Sequence, residues 1–234
     1  MELTELIIAG LGLAWASGLN LYAALATIGI LGATGQMNLP PDLEILGHPL
    51  VIAASVFMYL VEFVADKVPG VDTTWDTIHT FIRIPAGAVL ALGAIGDVSP
   101  AVQVAALIIG GSVAATSHAF KAGTRVLINT SPEPFSNWGA SLLEDGLVIG
   151  GVTLAILQPT AFLVLFVLFL GLVIWLMPKI WRGIKLLWTR INSLFGRKQS
   201  NADMTISLKS AGGAAGGHTG WPYSENGDQR PRLP

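Results

Sequence analysis

Residues 160–177 contain no Asp, Glu, Lys or Arg and are almost wholly apolar. An uncharged block of about 18 or more such residues is long enough to cross a bilayer as a helix. Similar blocks recur along the chain, which is 52% hydrophobic and only 12% charged, against about 25% charged in an ordinary soluble domain. That leaves too little polar surface to keep a globule in water. The sequence therefore predicts an all-α polytopic membrane helix bundle.

Six spans can be drawn, at residues 6–33, 49–65, 84–95, 101–120, 138–157 and 160–177. The start, Met1 to Thr4, has no Lys or Arg, and the apolar run after it is too long for a signal-peptide core, so the first block reads as a retained span. The third is short, and the helix is expected to extend back through residues 77–83 or to be partly re-entrant. The first is long, about 42 Å if helical throughout, and either tilt or a break at Gly18 to Asn20 resolves the excess.

The thirteen Lys and Arg residues all fit one side. Lys67 and Arg83 lie between spans two and three, Lys121 and Arg125 between four and five, and the rest after span six. Because short cytoplasmic loops retain basic residues, both termini are expected to be cytoplasmic.

The chain divides into a transmembrane domain at 1–177, a basic juxtamembrane helix at 178–198 and a disordered cytoplasmic tail at 199–234. In the second, Ile180, Ile184, Leu187, Ile191 and Leu194 recur at helical spacing with Lys179, Arg182 and Arg190 elsewhere. This fits an amphipathic helix bound to anionic lipid head groups, or a continuation of span six with snorkelling bases. The tail is rich in Gly, Ser, Asn and Pro. Six spans also divide into two sets of three, the second inverted. Residues 16–24 echo 115–123, and Glu62 echoes Glu144, as in transporters built from two inverted three-helix repeats.

Polar groups in hydrocarbon are costly, so those near spans carry functional information. One cluster runs Glu62, Asp66, Lys67, Pro69-Gly70, Asp72, Asp76, His79 and Arg83. Glu62 and Asp66 share a helix face, Asp72 can cap the next helix, and Asp72, Asp76, His79 and Arg83 form one stripe. The stripe either lines a polar cavity, able to hold a proton or hard cation, or belongs to an interfacial helix whose charges pair with one another. His118, Lys121 and Arg125 form a second face that could receive an anion, or serve as topology markers beside a packed histidine. Asn129 and a stiff Ser131-Pro132-Glu133-Pro134 stretch follow, with Ser136 or Asn137 available to cap span five. Third, Glu144-Asp145 lies within span five, where each carboxylate needs its own partner or a raised pKa. Lys121, Arg125 and His118 are the obvious partners.

Cysteine is absent, which excludes disulfides, thiolate catalysis and Cys-based metal sites. No phosphate-binding loop, nucleophile elbow or His-Glu-x-x-His motif occurs. Nothing implies a cofactor or a nucleic-acid partner. Small residues at Gly110-Gly111 and Gly150-Gly151 would permit close packing within or between chains, including a homo-oligomer.

The motifs from Glu62 to Asp72, with Asp76, Thr80, Arg83 and Pro85-Ala86-Gly87, resemble a family of bacterial inner-membrane proteins catalogued as domain of unknown function 4126. So do His118-x-x-Lys121-Ala122-x-x-Arg125, Asn129-x-Ser131-Pro132-x-Pro134-x-Ser136-Asn137 and Ser141-x-x-Glu144-Asp145. The resemblance covers residues 11–157 and implies a compact membrane domain, with no activity attached. One departure is that Ser17-Gly18 is followed by Leu19-Asn20, where such proteins usually carry an Arg. The resulting expectation is a small transporter or channel-like protein for an ion or a small anionic or phosphorylated substrate. Its candidate site is Glu62, Asp66, Asp76, His79, Arg83, His118, Lys121, Arg125, Asn129, Glu144 and Asp145. A membrane enzyme acting on a lipid head group, with His118 or Glu144 as acid or base, and an assembly or scaffold protein are the alternatives.

Overall fold

The structure, a computed structural model, describes residues 2–68, 70–129 and 134–214. It contains α1 (Leu3–Ala33), a 3-10 helix (Pro41–Gly47), α2 (Pro49–Ala65), α3 (Val71–Ile95), α4 (Pro100–Ile128), α5 (Pro134–Leu157) and α6 (Pro159–Ala214). There is no strand among the described residues. Five helices are long and apolar enough to cross a membrane, or six if the 3-10 helix and α2, bent by 68°, count as one. Proline opens α2 and α4, where its missing N–H costs no hydrogen bond. Gly70 and Gly96, flanking α3, adopt φ of 88° and 70°, a region open to glycine without a Cβ clash.

Several expectations are revised. The short third span is resolved by extension, since α3 begins at Val71 and absorbs the whole polar stripe. Pro178 does not end the last helix; α6 passes through it and remains helical as far as Ala214, beyond Gln199. Ala202, Met204, Leu208 and Lys209 there are good helix formers. Residues 215–234 of the expected tail lie outside the described residues. The chain forms two units, Met1–Lys185 and Leu186–Pro234, and the bundle belongs entirely to the first.

The helix α1 is bent back on itself. Asn20 has extended φ/ψ of −147° and 97° inside an otherwise helical run, dividing it into arms at 3–19 and 21–33. Along the first arm, Ser17 bonds the Arg83 carbonyl, Gly87 packs on Ala14, and Gly10 packs on Ala91 and Ala94, so this arm runs antiparallel to α3. In the second arm Gly29 packs on Leu46 and Ile52, and Gly32 on Leu39, so it returns toward the start of α2. Leu6 and Met37 line one cavity of about 520 Å³ together with Ile95 and Leu157. In a straight helix of 31 residues, about 46 Å long at 1.5 Å per residue, its two ends could not meet there. The excess length is resolved by a break at Asn20 and not by tilt, the simpler of the two expectations, and α1 is not the single span expected. Instead α1 is a hairpin with its apex inside the bundle.

Close backbone approach holds the hairpin in place. A Cβ on Gly18 would collide with Ser117 Oγ and the Ala114 carbonyl, one on Gly12 with Ala155, and one on Gly110 with Ala91. Without a water-driven hydrophobic force between helices in lipid, such small-residue contacts are the main source of packing energy. Trp15 fills the space left at Gly151 and meets Phe162 and Phe169 edge-on, with centroids 6.0 and 5.7 Å away. Of the small residues open to packing within or between chains, Gly110 and Gly151 are therefore used within this one.

The two ends of the bundle differ in charge. Glu2, Glu5, Asp42, Glu44 and Asp97 fall at the end where the arms of α1 begin and finish, without a Lys or Arg among the described residues there. Lys67, Arg83, Lys121 and Arg125 fall toward the other, where Ile180 and Gly183 of α6 meet Gly123 and Leu127 of α4. At this end Lys179 lies over the Trp175 ring, 3.0 Å from its centroid, and Trp175 and Trp181 are exposed, as in an interfacial aromatic belt.

Candidate functional site

The stripe of α3, the end of α2, the far half of α4 and the first turns of α5 converge beneath the apex of the α1 hairpin. Arg83 Nη2 donates to Glu62 Oε1 at 2.5 Å and Arg83 Nη1 to Asp76 Oδ1 at 2.9 Å. Lys121 Nζ lies 3.0 Å from Asp66, 3.3 Å from Glu62, 3.5 Å from Glu144 and 3.6 Å from Asp76. Arg125 Nη2 donates to Glu144 Oε2 at 2.8 Å and lies 3.5 Å from Asp66. Three bases thus meet four carboxylates in one network. The side chains of Arg83, Lys121 and Glu62 have no exposure, whereas Glu144 retains 15%. The charges fill the space between the helices with one another, so the stripe does not line an open cavity.

The break in α1 is joined to this network. Lys121 Nζ donates to the Leu19 carbonyl at 3.0 Å, one of the acceptors left free where the first arm ends. Asn20 Oδ1 accepts from Ala23 N at 2.9 Å, capping the second arm, and Asn20 Nδ2 donates to Asp145 Oδ1 at 3.0 Å. Asp145 is buried, and among the described residues no base lies within ion-pair distance of it. The uncharged Asn20 therefore holds a carboxylate that an Arg at this position would pair.

Other expected members have different partners. His79 Nδ1 faces the Trp75 carbonyl at 2.9 Å and its Nε2 the Tyr22 hydroxyl at 3.2 Å. A carbonyl only accepts, so Nδ1 carries the proton there. His79 stands beside the ion pairs rather than among them. His118 does not reach Glu144 or Asp145: its Nδ1 faces Arg83 Nη1 at 3.4 Å and its Nε2 the Thr80 hydroxyl at 2.7 Å. Asn129 is turned away from the network, bonding both oxygens of Asp72 at 2.9 Å and Thr73 at 3.0 Å. Asp72 accepts from the Gly70 and Thr73 backbones, so this second cluster ties the start of α3 to the end of α4.

Asn137 does not cap α5, because the helix starts earlier, at Pro134. Its carbonyl and Oδ1 instead accept from Arg125 Nη1. The stiff loop at residues 130–133 lies outside the described residues. Among the described residues, no three His, Asp or Glu side chains are grouped as metal ligands.

Outside the expected site but in contact with it are Ser17 and Tyr22, together with Lys67, grouped by sequence with the first polar cluster, and Asn137, expected as a helix cap. Lys67 was visible four residues after Phe63, over whose ring it lies at 2.9 Å; it also donates to the Phe63 carbonyl and to Ser141 Oγ. Burial pushes the Lys67 ammonium below its usual value.

No curated protein and no solved structure matches the chain. The family model described as Domain of unknown function (DUF4126) matches residues 7–179. That interval contains all but the first turn of the hairpin, the whole ion-pair network and the helices α2 to α5, and the chain belongs to this family.

Proposed function

We propose that the protein is a small transporter for an anionic or phosphorylated solute. The observation that carries this reading is the broken helix: at the break the Leu19 carbonyl accepts from Lys121 and the Asn20 side-chain amide donates to Asp145, within a membrane bundle. Discontinuous helices whose ends face buried charge are how secondary transporters build solute and coupling-ion sites, at the junction of inverted repeats. The echo of residues 16–24 in 115–123 fits this, since Gly18 and Ser117 touch. Asp145, held by an amide rather than a base, is the natural place for a coupling proton. The enzyme reading has less support because both ring nitrogens of His118 are engaged.

The basic end faces the cytoplasm in this reading, by the retention of Lys and Arg on that side, and the Trp175–Lys179 belt lies against anionic head groups of a bacterial inner membrane. Because α1 turns back, the amino terminus then lies on the opposite face, in place of the cytoplasmic position expected from six crossings.

Proteoliposomes given radiolabelled inorganic phosphate and a small dicarboxylate, with and without an imposed proton gradient, test the reading. Saturable uptake that is lost in Lys121→Met is expected. No uptake above empty liposomes by folded protein, under either gradient, would sink it.

A further inference from the structure

Within the network Glu144 stands apart. Among the described residues its side chain is the only ion-paired carboxylate with appreciable exposure, 15% against 3% or less for Glu62, Asp66 and Asp76. A single oxygen, Oε2, serves both Arg125 at 2.8 Å and Lys121 at 3.5 Å. Glu62 and Asp76, by contrast, are held by Arg83 deep in the bundle.

The donors around Glu144 are only partly satisfied. Arg125 Nε is buried without an acceptor, and so is Asn137 Nδ2, on the side chain that accepts from Arg125 Nη1. Nε and Nη2 point from one edge of a guanidinium, the edge that a phosphate or carboxylate grips with two oxygens. Glu144 meets that edge at Nη2 alone. A tetrahedral oxyanion has enough oxygens to take Nη2 and Nε together while lying beside the charge of the Lys121 ammonium, whose own donors go to the Leu19 carbonyl, Glu62 and Asp66.

We infer that Glu144 is a tethered stand-in for the solute's anionic group, occupying an oxyanion site formed by Arg125 and Lys121 from which a phosphoryl group displaces it. Charge permits the exchange. Three bases face four carboxylates, so departure of Glu144 leaves three against three, and an arriving monoanion restores the original balance. Glu144 then acts as a built-in competitor that keeps the site closed until solute arrives. The inference rests on the transport reading for its purpose, but concerns binding, which is measured separately.

Thermal unfolding of wild type and Glu144→Gln in detergent, titrated with inorganic phosphate, is the test. The Gln variant is expected to be stabilised by phosphate at about tenfold lower concentration than wild type, the scale of one displaced charge-assisted hydrogen bond. Adding Arg125→Lys to it should remove that response, because the two-donor edge is lost. Equal phosphate dependence in wild type and Gln variant, or no response of either to both phosphate and phosphatidylglycerol, would overturn the proposal. If Glu144→Gln does not fold, Glu144→Asp gives the same test, since its shorter arm competes less well and should also tighten phosphate binding. Stabilisation of the variant by phosphatidylglycerol micelles but not by free phosphate would assign the phosphoryl group to a lipid head group. Phosphate binding without uptake would retain this site and discard transport; uptake with no Glu144 effect on binding would do the reverse.

Discussion

Replacing Arg83 with Met is expected to cost about 3–5 kcal/mol of stability, the price of leaving buried carboxylates without their base. Arg83 has no exposure and holds Glu62 at 2.5 Å and Asp76 at 2.9 Å. Removing it strands both in a bundle that water does not reach, and Lys121, at 3.3 and 3.6 Å, cannot replace two close bonds. The double variant Arg83→Met/Glu62→Gln should regain part of the loss, since one of the two unpaired charges is gone. Lys179→Met, outside the network, should change unfolding by no more than about 0.5 kcal/mol. Thermal unfolding in one detergent orders the four proteins. An Arg83→Met protein as stable as Lys179→Met would mean that the network bears little of the fold.

Gly18→Leu is the second large effect expected. Even a Cβ at this position would overlap Ser117 Oγ and the Ala114 carbonyl and lie 2.9 Å from the His118 nitrogen. Two of those three atoms are backbone and cannot rotate away, so the hairpin apex must lift from α4. Overpacking of this kind costs about 1–3 kcal/mol and sometimes more, and here it also draws the Leu19 carbonyl away from Lys121. Gly150→Ala is the contrasting case: nothing lies within 4 Å of its Cβ position, and helix propensity favours Ala by roughly 1 kcal/mol. Unfolding measurements should therefore show Gly18→Leu well below wild type and Gly150→Ala level with it or above it.

The bundle and the residue types of its network were legible in the sequence because both rest on local rules. Charges at three- and four-residue spacing share a helix face whatever the helix packs against, so Asp76 and Arg83, or Lys121 and Arg125, could be grouped before their partners were known. The length of the first block was open to tilt or to a break near Gly18 to Asn20, and did not choose the break. Its direction was not legible, because it depends on the extended backbone of Asn20 and on Asp145, which lies 125 residues away. Asn137 was misread for a related reason. Its type suits a helix cap, but Pro134 starts α5 one turn earlier and leaves the amide facing Arg125. Pairing also decided what became of the histidines: at the sequence level His118 was a natural partner for Glu144, yet Thr80 and Arg83 of α3 lie nearer.

Transport through this site requires α1 to be a hairpin whose apex meets the ion pairs, since a straight α1 would carry no broken-helix site. The chain has no cysteine, so single cysteines report accessibility without background. Glu2→Cys and Asn38→Cys flank α1, and Lys67→Cys marks the basic end. Labelling of intact cells with a membrane-impermeant maleimide is expected to modify the first two alike and to reach the third only after the membrane is opened. Modification of Glu2→Cys and Asn38→Cys from opposite faces would mean that α1 crosses the bilayer, contradicting the hairpin and the function built on it.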